Sequence, residues 1–66
     1  MQIEVTGEIR LGQFLKLVDA VEQGSDVKEL LATGVVGVNG EPETRRGRQL
    51  SHGDVVTVRE QEFTLS

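Results

Sequence analysis

Two hydrophobic periods meet at Gly34, and the change between them sets the fold class. Before it, Leu11, Phe14, Leu15 and Val18 recur at i, i+3, i+4 and i+7. This is one apolar stripe on a helix, which the spacing predicts from about Arg10 to about Val21. Gly24-Ser25 breaks the pattern, and Ser25 is placed to cap a second helix, with Asp26 in its first turn complementing the positive end of the dipole. Val27, Leu30 and Leu31 form the buried face of that helix. Gly34 follows, where glycine takes a positive φ without a Cβ penalty, so the second helix is expected to stop near Thr33.

After Gly34 the alternation is that of strands. Val35, Val36 and Val38 run into Asn39-Gly40, the strongest short signal for a type I′ hairpin turn. Pro42 in the returning arm has no N–H to donate, which confines that arm to a sheet edge and keeps it short. Leu50 offers one apolar side chain to tuck beneath the loop, Ser51-His52-Gly53-Asp54 supplies turn chemistry, and Val55, Val56 and Val58 make a further strand. Phe63 and Leu65 alternate into a last one. At the other end Ile3 and Val5 alternate with Gln2 and Glu4 as a short half-buried strand, interrupted at Thr6-Gly7. The expectation is a single α+β domain over residues 1–66, two short helices packed on a small, mostly antiparallel sheet. A chain of 66 residues buries only about 60% of the surface its unfolded form exposes, and without cysteine no disulfide supplements the thin core.

Charge is distributed unevenly along this frame. Thr44 to Gly53 holds Arg45, Arg46, Arg48 and His52 with no carboxylate, whereas the other four Lys and Arg share the chain with all eleven Asp and Glu. Local clustering creates the field that attracts phosphate, so a net charge of −4 does not exclude a polyanion partner. Charge alone leaves open both a solvated arginine loop and a phosphate site.

The run Arg10-Leu11-Gly12-Gln13-Phe14-Leu15-Lys16 is followed by Gly24-Ser25, Leu30, Gly34, Val36-Gly37-Val38-Asn39-Gly40 and Gly53-Asp54-Val55-Val56. Over roughly Ile9 to Val58 this order resembles the S-four RNA-binding domain, also called the alpha-L motif. Similar domains are attached to pseudouridine synthases, bacterial tyrosyl-tRNA synthetases and a ribosome-associated heat-shock protein, and also occur as free-standing small bacterial proteins, the kind this chain resembles. The order is specific when taken together, while Asn-Gly alone would be weak. The resemblance implies that the two helices and the hairpin present one basic face to folded RNA, with Arg10, Lys16 and Asn39 at matching positions. Arg45, Arg46 and Arg48 are the expected principal phosphate contacts, and Arg10, Lys16, Lys28 and Asn39 the supports. The chain departs from the family at Asp26, where an arginine commonly follows the serine, so a phosphate contact is lost there. Lys28 brings charge back two residues on, but a helix turns about 200° over that step, so its side chain is not bound to point the same way.

The composition narrows the RNA further. Only Phe14 and Phe63 are aromatic, both on buried patterns, so platforms for stacking single-stranded bases are lacking. Arginines grip phosphates in a bidentate way, which favours backbone and shape recognition of a structured RNA, ribosomal or transfer RNA among the choices, with a protein partner on the acidic side as a further option. Ser51, His52 and Asp54 lie too close together on one turn to make an aligned nucleophile, base and orienter, and one histidine with scattered carboxylates has no metal-ligand spacing. No enzyme activity, cofactor or metal is expected.

Two other classes fit parts of the chain. One is a carrier or protein-interaction module: Met1-Gln2-Ile3, Asn39-Gly40-Glu41 and Gly53-Asp54 resemble small ubiquitin-like sulphur carriers, but the ending Phe63-Thr64-Leu65-Ser66 lacks their Gly-Gly terminus. A helix-turn-helix DNA binder would bring Asp26, Lys28 and Glu29 to the major groove, a poor charge balance. No basic start followed by an apolar run is present, and no stretch nears the roughly 20 apolar residues of a membrane span, so the expected location is cytoplasmic.

Overall fold

The structure, a computed structural model, describes residues 1–5 and 7–66. Of the break expected at Thr6-Gly7, Thr6 lies outside the described residues and Gly7 within them, at φ +76°. The elements run β1 (Gln2–Ile3), β2 (Ile9–Arg10), α1 (Leu11–Leu17), α2 (Gly24–Ala32), β3 (Val36–Val38), β4 (Glu41–Pro42), β5 (Gln49–Leu50), β6 (Val55–Val58) and β7 (Gln61–Leu65). One sheet has the order β1-β7-β6-β3-β4, antiparallel except where β1 pairs with β7, and β2 pairs with β5 in a separate two-stranded ribbon. The α+β class and the mostly antiparallel sheet agree with the periodicity.

The first helix is shorter than its apolar stripe predicts. Asp19 takes a left-handed φ of +59° and its N–H donates to Lys16 O, while the Ala20 N–H donates to Leu15 O at 2.9 Å. These two bonds close a Schellman end with aspartate where glycine is usual, a substitution that short polar side chains tolerate. The chain therefore leaves the helix after Val18, and Val21 reaches the core from the connection instead. Ser25 is not the cap of the second helix. Gln23 holds that position in extended conformation, the first turn closes through Asp26 N–H to Gln23 O at 3.0 Å, and Ser25 is already helical. Asp26 does lie in the first turn. Gly34 ends the helix as its chemistry requires, with φ +78° and its N–H on Leu31 O.

The hairpin falls where the sequence puts it. Asn39 and Gly40 both have positive φ, Val38 pairs with Glu41, Gly37 pairs with Pro42, and β4 is an edge strand. Leu11, Phe14 and Leu15 of α1 and Val27, Leu30 and Leu31 of α2 are buried with Val36, Val38, Val56, Val58, Phe63 and Leu65 of the sheet. Phe14 meets Phe63 edge-on, ring centroids 6.0 Å apart and planes at 76°, the arrangement that places a ring edge on a π face. Leu50 is buried too, and it pairs with Ile9 in the β2–β5 ribbon. That ribbon, two residues per strand and without a readable period, carries the arginine segment back onto the start of α1.

Candidate nucleic-acid interface

The arginine segment is seated on a helix end. The Leu11 N–H donates to Arg48 O at 2.8 Å and the Gly12 N–H to Arg46 O at 2.9 Å. Two of the first amides of α1, which have no partner within the helix, thus find acceptors in the loop. A third, that of Arg10, donates to Gln13 Oε1 at 3.0 Å, and the Arg10 guanidinium donates to Gly47 O at 2.8 Å. Gly12 makes the close approach feasible: a Cβ there would sit 3.4 Å from Arg46 O and 3.5 Å from Val27 Cγ1. The amino end of α1 is consequently spent on positioning the loop, and cationic side chains are what the surface offers a ligand.

Those side chains are organised by an acid. Glu43 is buried, at 7% exposure, although it stands between exposed Pro42 and Thr44. Its Oε2 accepts from the Thr44 and Arg45 amides at 3.0 and 3.1 Å and from Arg45 Nε at 3.2 Å. Its Oε1 accepts from Arg45 Nη2 at 3.2 Å and Arg48 Nη1 at 2.8 Å. The Arg45 and Arg48 guanidiniums and the Arg45 amide hold the Glu43 carboxyl at a pKa of about 2, well below the ordinary carboxylate value, and Glu43 in turn raises the pKa of Arg45. Even so paired, the Arg45 side chain is 74% exposed and that of Arg48 34%. Arg46 is exposed, and its guanidinium has no hydrogen-bond or ion-pair partner among the described residues.

The loop brings Arg10, Arg45, Arg46 and Arg48 together; the other candidates lie elsewhere. Lys16 is exposed in the last turn of α1. Six residues from Arg10, it stands about 9 Å along the helix axis and about 120° around it. Lys28 is exposed beside Val27, the residue that packs near Gly12 and the loop. Asn39 is at the hairpin tip, but its amide is bonded within the protein: Nδ2 donates to Asp54 Oδ1 at 3.1 Å and Oδ1 accepts from the Val55 N–H at 2.9 Å. Asp54 also accepts from the Ser51 N–H at 2.8 Å, and His52 is an exposed turn residue. Glu43 is the residue that sequence reading missed. Its signal was an acid two residues before the first of three arginines, hidden because a single buried position in a loop belongs to no period.

Four other acidic side chains gather away from this cluster. Asp19, Glu22, Asp26 and Glu29 line a groove of about 440 Å³ together with Val21, Leu30 and Arg59, and none of the loop arginines borders it. Among the described residues no group of three His, Cys, Asp or Glu is arranged to hold a metal ion. No helix there is long and apolar enough to cross a membrane.

Two helices, the Val-Gly-Val-Asn-Gly hairpin and a basic loop clasped to the first helix define the class. The family model described as S4 domain matches residues 1–66, and the chain belongs to the S4 domain family, whose members are typically RNA-binding. It is similar to a probable ribosome maturation protein, RlbA, of Bacillus subtilis (strain 168), at 51% identity over 53 residues covering 80% of this chain and 75% of that protein. No solved structure matches.

Proposed function

We propose that this protein is a noncatalytic RNA-binding protein of the cytoplasm that grips a structured RNA mainly through its phosphate backbone and shape. In this reading residues 1–66 act as one domain, the RNA is ribosomal, and the protein serves ribosome maturation as its Bacillus subtilis relative is named for doing. The observation that carries the proposal is the loop itself: four arginines gathered on one seat, with the Arg46 guanidinium free of any partner among the described residues and Arg45 largely exposed. Arg46 is the leading phosphate contact, Arg45 and Arg48 offer the guanidinium edges that Glu43 leaves unused, and Arg10 supports them from the helix start. Lys28 and Lys16 add to the field at longer range, and Asn39 acts through the hairpin it fastens. Phe14 and Phe63 are buried and so out of reach of bases, in keeping with weak sequence readout. The carrier reading ranks lower, because the chain belongs to the S4 domain family.

Titrating a ribosomal RNA hairpin, an unstructured single strand and duplex DNA at one salt concentration tests this. The structured RNA is expected to bind tightest. Equal affinity for all three reduces the loop to a nonspecific patch, and absence of binding to any of them rejects the reading.

A further inference from the structure

Arg45 and Arg48 are tied down by a carboxylate, which on charge alone an anion-binding surface is better without. A negative charge beside a phosphate site opposes the ligand, and removing it by charge alone should strengthen binding. Yet Glu43 is the one buried ionisable group in the described part of the molecule, and both of its oxygens are fully used. Its own N–H donates to Val36 O at 3.0 Å, so the carboxylate is carried on the edge of the main sheet while the loop carbonyls rest on α1. The loop is thereby fastened at both ends. Arg45 turns its Nε and Nη2 toward Glu43 and Arg48 turns its Nη1, which fixes the direction in which the remaining N–H groups project. Long arginine side chains lose rotamer freedom when they bind, and holding them beforehand removes part of that cost.

We infer that Glu43 is a positioning residue for RNA recognition, orienting Arg45 and Arg48 toward phosphates rather than merely neutralising them. The inference rests on the RNA-binding reading above, and positional order outweighs the unfavourable charge.

Two substitutions decide it. Glu43→Gln preserves shape and raises the net charge by one, but it places an amide NH2 against guanidinium donors. Glu43→Asp keeps the charge and withdraws the carboxylate by one methylene. Both are expected to weaken binding of a ribosomal RNA hairpin roughly tenfold, the size of one charged hydrogen bond lost. The slope of log affinity against log salt should become shallower by about 0.7 to 0.9, one phosphate contact fewer. In the free protein, the Arg45 Nε–H should exchange with water roughly tenfold faster by NMR in both variants, while amides of β6 and β7 stay protected and report an intact fold. Glu43→Gln binding as tightly as the wild type or tighter, or an unchanged Nε–H exchange rate, overturns the inference. If the wild type binds no structured RNA, the RNA reading falls, and the exchange rates still decide whether Glu43 orders the arginines.

Discussion

Gly12 and Arg46 are joined backbone to backbone, N–H to carbonyl at 2.9 Å, across a gap that a Cβ on Gly12 would enter at 3.4 Å from the oxygen. Alanine here keeps that contact only just within van der Waals range and gains about 1 kcal/mol of helix propensity, so Gly12→Ala is expected to change stability by less than about 1 kcal/mol. Gly12→Val adds methyl groups between Arg46 and Val27 and is expected to cost about 1 to 3 kcal/mol through overpacking. Urea denaturation of both variants checks the ordering, and equal stability would mean that the loop is not seated on Gly12.

Arg46 and its neighbours should respond differently to truncation. Arg46→Ala removes an exposed side chain with no partner among the described residues, and its stability is expected to stay within about 0.5 kcal/mol of wild type. Its RNA affinity should fall, with a salt slope shallower by about 0.7 to 0.9. Arg48→Ala should lower both affinity and stability, because it strips a 2.8 Å partner from a buried carboxylate. Thermal melts paired with salt-dependent RNA titrations separate the two cases.

Acid should loosen the loop. The Glu43 pKa is lowered from 4.5 to about 2 by Arg45 and Arg48, so the folded protein binds fewer protons at this group than the unfolded chain does. The stabilisation is therefore present in full above about pH 4.5 and is lost as the pH falls toward about 2. Melting temperatures of wild type and Glu43→Gln should converge over that window, and curves that run parallel would show that the pair does not stabilise the fold.

Asn39 is expected to act through the turn. Asn39→Gly keeps the left-handed backbone and loses the bonds to Asp54 and Val55, whereas Asn39→Ala also strains a φ of +54°. Alanine should be less stable than glycine by about 1 to 2 kcal/mol. The folded fractions of both should bind RNA nearly as the wild type does; a large affinity loss in Asn39→Gly would place the side chain on the RNA itself.

How far the structure is legible in the sequence depends on whether the signal is periodic or tertiary. The α2 stop at Gly34, the Asn39-Gly40 hairpin, the edge position of Pro42 and the buried Leu50 all follow from local chemistry, and each is found. Val18 fits the helical stripe, but Asp19 turns the chain out of the helix two residues before its expected end near Val21. Ser25 carries capping chemistry and is overridden by a turn that begins at Gln23. Glu43 lies outside any pattern, because its burial comes from arginines and amides folding over it rather than from its own polarity. Of the basic cluster, the gathering of three arginines was readable, while the link from Arg10 to Gly47 spans 37 residues and depends on the β2–β5 ribbon.

The parallel pairing of β1 with β7 has a mechanical side. The Thr64 N–H donates to Met1 O at 2.8 Å, the Ser66 N–H to Ile3 O at 3.0 Å and the Val5 N–H to Ser66 O at 3.0 Å. Tension applied between residues 1 and 66 would slide these two strands past each other and load all three bonds at once. Tension applied between Val36 and Pro42, the open ends of the hairpin, would instead part β3 from β4 one pair at a time, so the same small sheet is stiff along one direction of pull and yielding along another.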